Sequence, residues 1–424
     1  MAGIVGTLAV TETVSWGVLY YSFAVLQLPM RTELHLSTGT VAGAYSLAVL
    51  LTGAAAVPLG RWVDRHGARA LMTGGSIAAT LLVLAWARVH TALELYAVFS
   101  GIGLVSAAVL YEPAFAVVVR WFLAERSQAL LAVTVVAGFA STIFLPLSDA
   151  LTASVGWRDT LVILAAVLAV TTVLPHAIVL RRDPADLGLN PDGARSSCPV
   201  PAAAVTARPG RGRLRAVAAY AWRDRRFRWL ALALTANSFT VIVVAVSLVP
   251  YLREHGHSAR FAAAATGSLG ALSVTGRLVV TGATRRRSTA MVTAAVFAAQ
   301  VLALVLLAAA GSTILGAVGF VLLFGLGFGV GTIARPALLA EAYTTTDYAT
   351  LSALLGVALT AAKSAGPVTA GLVRTATGSY LPVLAALAGA AAYAAAALAR
   401  LDRLDRLDRL DRLDRADRSE PPGT

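Results

Sequence analysis

G-R-W-V-D-R-H-G-A-R, residues 60–69, packs three arginines and an aspartate between two stretches that carry almost no charge. Residues 39–60 precede it and residues 69–88 follow it, each rich in Ala, Val, Leu and Gly. Each flank has about the 20 apolar residues that carry a helix across a bilayer. Lipid offers no partner for backbone N–H and C=O groups, so such segments are expected as helices with all bonds internal. Two crossings joined by a short basic turn make a membrane hairpin, and the loop between them faces water.

The same pattern recurs outward along the chain. Twelve spans are expected at about 4–29, 39–60, 69–88, 91–119, 128–150, 159–180, 228–252, 260–283, 289–310, 312–336, 349–372 and 380–399. The chain of 424 residues is 58% hydrophobic, 13% charged and has a mean hydropathy of +0.74. Soluble domains carry nearer a quarter charged residues, so a water-covered globule is excluded. The expected fold is an all-α membrane protein of twelve transmembrane helices in two six-helix bundles.

Charge sets the orientation. With both termini on the cytoplasmic side, the inner loops hold 19 arginines and the outer loops six, which satisfies the positive-inside rule. The formal charge of +13 therefore reads as topology, and no nucleic-acid partner is expected. Residues 1–180 form the first bundle, 181–227 a basic cytoplasmic linker, 228–399 the second bundle and 400–424 a tail. Counted to Arg228, the linker holds 11 arginines and four aspartates, a composition suited to lying on anionic lipid headgroups. The tail repeats Leu-Asp-Arg. Its aspartates precede arginines at i, i+4, which supports a helix, but a leucine period of three gives no continuous apolar face. It is expected as an appendage without chemistry. Residues 1–30 have no basic start, and the apolar run from Gly3 to Pro29 is too long for a signal-peptide core, so no cleavable signal is expected. The single cysteine, Cys198, lies in the linker and excludes an internal disulfide or a cysteine metal site.

The opening stretch resembles the signature loop of the major facilitator superfamily, and six plus six spans around a basic central segment fit that family over almost the whole chain. Its physical reading stands beside the resemblance. Gly60 lets two helix ends approach and Gly67 permits a tight turn. Asp64 is suited to a neighbouring helix N-terminus or an arginine, and Arg65 and Arg69 would hold the inward face closed in one state. These five residues read as a gate. The second half has only G-A-T-R-R-R at 282–287, without the aspartate. Within the superfamily, W-G-V-L-Y-Y-S-F-A-V-L (16–26), R-T-E-L (31–34) and Ser46-Leu47 look like the monocarboxylate and oxalate–formate carriers. V-A-G-F-A-S-T-I-F-L-P (136–146) stands where drug exporters have a glycine-proline motif. A drug or sugar exporter of the same fold, or a membrane sensor that transports nothing, are the competing readings.

Ionisable groups at bilayer depth cost roughly 2.5–3.5 kcal/mol and usually face a cavity. Glu12, Glu112, Arg277, Arg335 and Lys363 are such groups, and Lys363 is the only lysine in the chain. The resemblance to oxalate–formate carriers implies that Lys363, in T-A-A-K-S-A-G, binds a substrate carboxylate, with Arg277 as its partner. Ser273 stands where animal monocarboxylate carriers have an acid, and the lysine of their first span is missing. From the residues alone, Lys363 is also readable as paired with an internal acid, and Arg277 as an inner-gate or snorkelling residue. Glu112, beside Pro113, or Glu12, early in the first span and readable as interfacial, would carry a coupling proton or serve as a counter-charge. Arg335, before Pro336 near the inner end of the tenth span, reads as a gate or helix-end residue. Trp16, Tyr20, Tyr21 and Tyr111 would line the cavity or face lipid.

G-L-G-F-G-V-G (325–331) follows no strand and reads as helix packing rather than a nucleotide loop. E-H-G-H at 254–257 is weak metal evidence, and no nucleophile–base pair is recognisable. The expectation is a transporter rather than an enzyme, a monomer without cofactor. It would move a small organic anion, a mono- or dicarboxylate, with a proton or against a counter-anion.

Overall fold

The structure, a computed structural model, describes residues 2–122, 125–181, 221, 223–284, 286–343 and 345–419. Most of the linker with Cys198, Arg285, the last five residues and the side chain of Asp64 lie outside the described residues.

Every described element is helical. The first half holds α1 (Ala2–Trp16), a π-helical turn (Gly17–Tyr21), α2 (Ser22–Glu33), α3 (Thr38–His66), α4 (Arg69–Trp86), α5 (Ala92–Val109) and α6 (Tyr111–Trp121). It continues with α7 (Arg126–Ala137), α8 (Ala140–Leu168), a second π turn (Ala169–Val173) and α9 (Leu174–Val179). The second half holds α10 (Arg225–Glu254), α11 (Ala259–Ala283), α12 (Thr289–Ala310), α13 (Ile314–Phe328), α14 (Val330–Ala342), α15 (Thr345–Thr377) and α16 (Leu381–Ser419). Starts follow capping chemistry. Ser37, Thr91, Ser258, Ser288 and Thr313 each accept a backbone N–H three residues on, which satisfies one of the free donors of the first turn. The turn in the opening stretch is made by Gly67 at φ 81°, a left-handed conformation that favours glycine.

Among the described residues, nine helical stretches are long and apolar enough to cross a membrane. One of them, Gln128–Val179, has 52 residues and is bent at Gly156, where φ is 82°, so it holds two of the expected spans. Two other expected spans are interrupted. The chain is extended at Leu110, between α5 and α6, because Pro113 has no N–H for the Val109 carbonyl. The tenth expected span breaks at Gly329, between α13 and α14. The glycines before that break serve packing. A Cβ on Gly276 of α11 would stand 1.8 Å from the Leu326 carbonyl oxygen, so only glycine allows this crossing of α11 and α13.

The tail differs from expectation. The helix of the last span runs on to Ser419, and its first Leu-Asp-Arg unit is docked. Leu401 and Asp402 are each 3% exposed. Asp402 accepts from Ser288 at the N-cap of α12 and pairs with Arg406, one turn on, at 2.7 Å. The first leucine of the repeat needs no continuous stripe, because it falls where the bundle still offers an apolar neighbour. The loop histidines are used in packing: His255 stacks on Tyr251 at 4.0 Å, His257 Nε2 meets the Gly311 carbonyl at 2.7 Å, and Glu254 pairs with Arg374 at 2.8 Å.

Three apolar cores divide the molecule unequally. At the end opposite the chain termini, one core takes residues from both halves, such as Phe23, Tyr45, Phe99 and Phe144 with Val243, Leu252, Phe320 and Leu384. At the terminal end the halves keep separate cores, Leu8, Val63, Met72, Val117 and Trp121 in one, Phe227, Phe297, Leu338 and Leu398 in the other. Hydrogen bonds join the halves on the shared side. Gln27 Nε2 donates to the Val246 carbonyl at 2.7 Å, Ser364 Oγ to the Ser46 carbonyl at 2.8 Å, and Thr142 Oγ1 to the Gly267 carbonyl at 2.8 Å. Among the described residues, the halves are therefore sealed together at the distal end and divided at the end that carries the termini.

The loop of the gating expectation lies at this end. A Cβ on Gly60 would meet nothing within 4 Å among the described residues, so no described helix end approaches it. Arg69 Nε donates to the Ala177 carbonyl at 2.8 Å, within the first half, and Arg65 is exposed.

Candidate functional site

The first-half wall of the cleft is aromatic. The π turn inserts an extra residue per turn, which changes the helix face presented after Trp16 and brings Tyr20 and Tyr21 beside it. Trp16 lies edge-on to Tyr20 at 5.0 Å between centroids and tilted on Tyr111 at 5.1 Å. Tyr20 meets Tyr21 at 5.1 Å, and Tyr111 stacks on Phe115 at 5.0 Å. Trp16, Tyr20, Tyr21 and Tyr111 are all half-buried, so ring surface stays accessible. The break at Leu110 places Tyr111 at the start of α6, where it turns toward α1. Tyr45, unforeseen in the sequence, backs the cluster, edge-on to Tyr20 at 5.6 Å and stacked on Phe23 at 4.5 Å.

Two carboxylates accompany this wall in opposite settings. Glu12 is 0% exposed, and neither oxygen has a hydrogen-bond partner. The indole N–H of Trp16, one turn on, is likewise buried without a partner. An early position in the first span suggested an interface; the structure instead buries Glu12 under the aromatic cluster, within electrostatic reach of Tyr111. Glu112 is exposed, in the first turn of α6, where the helix dipole favours an acid.

The second-half wall is cationic. Lys363 lies 18 residues into α15 from Thr345 and 14 from Thr377, about 27 Å and 21 Å from the two ends by helical rise. At this depth the side chain is still solvent-accessible, and it has no hydrogen-bond or ion-pair partner among the described residues. Its charged neighbours are Arg335 from the same half and Glu112 from the other, so it faces the cleft between them. Pro367 lacks the N–H that would bond the Lys363 carbonyl, which weakens α15 at this turn. Arg335 is held by the Ser352 carbonyl at 2.7 Å and its hydroxyl at 3.2 Å, bridging α14 to α15.

Arg277 stands elsewhere. It is six residues from the end of α11, and its Nη1 donates across the halves to the Thr134 carbonyl at 3.3 Å. Its Nε is buried without a partner, against the break at Gly329. Tyr21 and Tyr111 are within its electrostatic reach, while it is not among the charged neighbours of Lys363. The structure thus gathers Trp16, Tyr20, Tyr21, Tyr111, Glu12 and Arg277 in one neighbourhood, and Lys363, Arg335 and Glu112 in an adjoining one. Gly60, Asp64, Arg65, Gly67 and Arg69 belong to a loop at the terminal end of the first half. Sequence reasoning passed over Asn237 and Gln300, 4% and 0% exposed, each with amide atoms that find no partner. An amide in the middle of an apolar span is the signal that marks them.

Among the described residues no nucleophile and base are paired; an aromatic group that holds Glu12 and Arg277 adjoins a group of Lys363, Arg335 and Glu112. The Major Facilitator Superfamily model matches residues 8–367. An uncharacterised MFS-type transporter of Bacillus subtilis (strain 168), YcxA, is 28% identical over 166 residues, 38% of this chain. The match spans 40% of that relative's length. Among solved structures, a bacterial homologue of the human lysosomal transporter Spinster, inward-facing and unoccupied, aligns with a TM-score of 0.71 at 14% identity over 94% of both chains. The nucleoside transporter NupG gives 0.69 at 14% identity over 94% of this chain and 98% of its own. A POT family transporter in complex with 5-aminolevulinic acid gives 0.72 at 12% identity over 94% and 96%.

Proposed function

The chain belongs to the Major Facilitator Superfamily, and from that premise we propose that this multi-pass secondary transporter carries a small organic anion by alternating access. The cargo is a mono- or dicarboxylate, held at Lys363 with Arg335 and Arg277 as further positive groups. The chain crosses the cytoplasmic membrane twelve times as a monomer, with both termini inside, and the division at the terminal end corresponds to the inward-open state.

The observation that carries this reading is Lys363: an ammonium more than 20 Å from either helix end, accessible and without an ion-pair partner among the described residues. A charge in that position costs several kcal/mol unless a counter-charge visits it. A carboxylate supplies that counter-charge and can then be released. The fold is compatible with such a cargo, since a POT family transporter of the same architecture is complexed with 5-aminolevulinic acid. Glu12 is the better candidate for the coupling proton. It is fully buried with both oxygens unpaired, beside the cluster that Arg277 faces. Exchange against a second anion needs no such group.

Counterflow in proteoliposomes tests the proposal. Carboxylates at two pH values should exchange with labelled cargo, and Lys363→Gln should weaken uptake strongly while the protein remains folded by size-exclusion profile. Transport of a neutral compound, unaffected by carboxylates and by Lys363→Gln, overturns it.

A further inference from the structure

We propose that the cargo is an aryl monocarboxylate, an anion whose carboxylate meets Lys363 while its flat ring lies on Trp16, Tyr20, Tyr21 and Tyr111. This rests on the anion reading above and narrows it.

The two sides of the cleft ask for different chemistry at the two ends of one molecule. On one side are the accessible rings of Trp16, Tyr20, Tyr21 and Tyr111, with Phe115 stacked behind Tyr111. The packing of these four rings on one another is edge-on or tilted rather than face-to-face, so ring faces and edges are both left for a further ring. On the other side stand Lys363 and Arg335, with Glu112 beside them, while Arg277 lies next to Tyr21 and Tyr111. Formate, acetate and oxalate have almost no apolar surface, so they would leave the aromatic side wet and unused. A dicarboxylate fares worse. Aromatic faces carry the negative lobe of the ring quadrupole, and a second carboxylate pressed against them is repelled. An organic cation would suit the rings, but Lys363, Arg335 and Arg277 outnumber Glu12 and Glu112 there, so the site as a whole opposes its entry. One carboxylate on one aromatic body satisfies both sides.

The tyrosines add a further selection. Tyr21 and Tyr111 place their hydroxyls within the field of Arg277. A cation of the second half thus adjoins the aromatic side, which favours a ring placed with its apolar edge toward Trp16 and its carboxylate toward the second half.

The test uses the full chain, purified and reconstituted. Thermal-shift and counterflow competition are measured with benzoate, phenylacetate and indole-3-acetate, against acetate, lactate, oxalate and succinate. Cyclohexanecarboxylate supplies the same charge and similar apolar volume without a π face. At least one aryl acid should compete at a concentration tenfold or more below every aliphatic acid, cyclohexanecarboxylate included. Tyr111→Leu should raise the half-inhibitory concentration of that aryl acid about tenfold and that of cyclohexanecarboxylate by clearly less. Tyr20→Leu gives a second reading if Tyr111→Leu fails to fold. Equal competition by lactate, oxalate or cyclohexanecarboxylate overturns the aryl inference and leaves the anion reading standing. Failure of every carboxylate to bind or exchange overturns both.

Discussion

Replacing Ser46 and Ser364 together by alanine removes two hydrogen bonds that tie α15 to α3 on the sealed side of the molecule. Ser364 Oγ donates to the Ser46 carbonyl at 2.8 Å, and the Val368 N–H donates to Ser46 Oγ at 3.0 Å. Both join the first half to the second, so both are broken when the distal end opens and its groups are hydrated. Each such bond contributes about 1 kcal/mol net, so together they favour the sealed state by about 2 kcal/mol. At 1.4 kcal/mol per decade that is a shift of roughly 30-fold in the ratio of distally open to distally sealed molecules. Spin labels at the exposed positions Ser37 and Thr377, one on each half beside the seal, report that ratio by pulsed electron resonance, with Cys198 replaced by serine. The Gly39 N–H reaches Thr375 Oγ1 at 3.3 Å, so the sealed population gives a short distance and the open one a long distance. The double variant should multiply the long-to-short ratio by about 30, and each single variant by less. A ratio within threefold of the parent refutes the idea that these bonds hold the distal side shut.

Other outcomes follow from the same geometry. Lys363→Gln exchanges a charge-assisted contact worth about 1.5–3 kcal/mol for a neutral one, so the half-saturating cargo concentration should rise roughly 10- to 150-fold; an unchanged value removes Lys363 from the site. Glu12→Gln should leave exchange intact and abolish the acceleration by an imposed pH gradient, measured in the same vesicles. Gly276→Val must push α11 from the Leu326 carbonyl and should lower stability by about 1–3 kcal/mol in a thermal melt, while Gly282→Ala, with nothing within 4 Å of the added carbon, should be neutral. Outside the membrane, the Trp157 indole N–H at 2.5 Å and the Arg158 guanidinium at 3.0 Å hold the Glu33 carboxyl below the usual carboxylate range. That contribution is whole above the ordinary carboxylate pKa of about 4.3 and is lost as pH falls through the lowered value; the melting temperature of Glu33→Gln should therefore fall less steeply than the parent's between about pH 5 and 3.

Much of this molecule could be read from its sequence because lipid leaves few options. Apolar runs of span length must be helices, and the loop at residues 60–69 had a glycine at the one turn position with positive φ. The depth of Lys363 followed from counting residues along an uninterrupted helix. What stayed hidden depends on tertiary fit. The π turn at Gly17–Tyr21 carries no composition mark, yet it presents the aromatic cluster. Glu12 reads as interfacial by position, and only the packing of α1 beneath Tyr111 buries it. The break at Gly329 lies within a run of alternating glycines, any of which could have been the hinge. Gly60 reads as a contact point, but whether it touches anything depends on which end of the molecule is closed, and a sequence does not specify a conformational state.

The continuous α16 has a practical consequence for anything fused to this protein. Fifteen residues separate Leu404, the last of its apolar stretch, from Ser419, which as helix is a rod of about 22 Å. Acidic and basic residues are equal in number from Arg400 to Glu420, so this rod has no net attraction to charged headgroups. A fluorophore or affinity handle appended after it would stand clear of the bilayer surface, outside the path by which solutes enter the cleft.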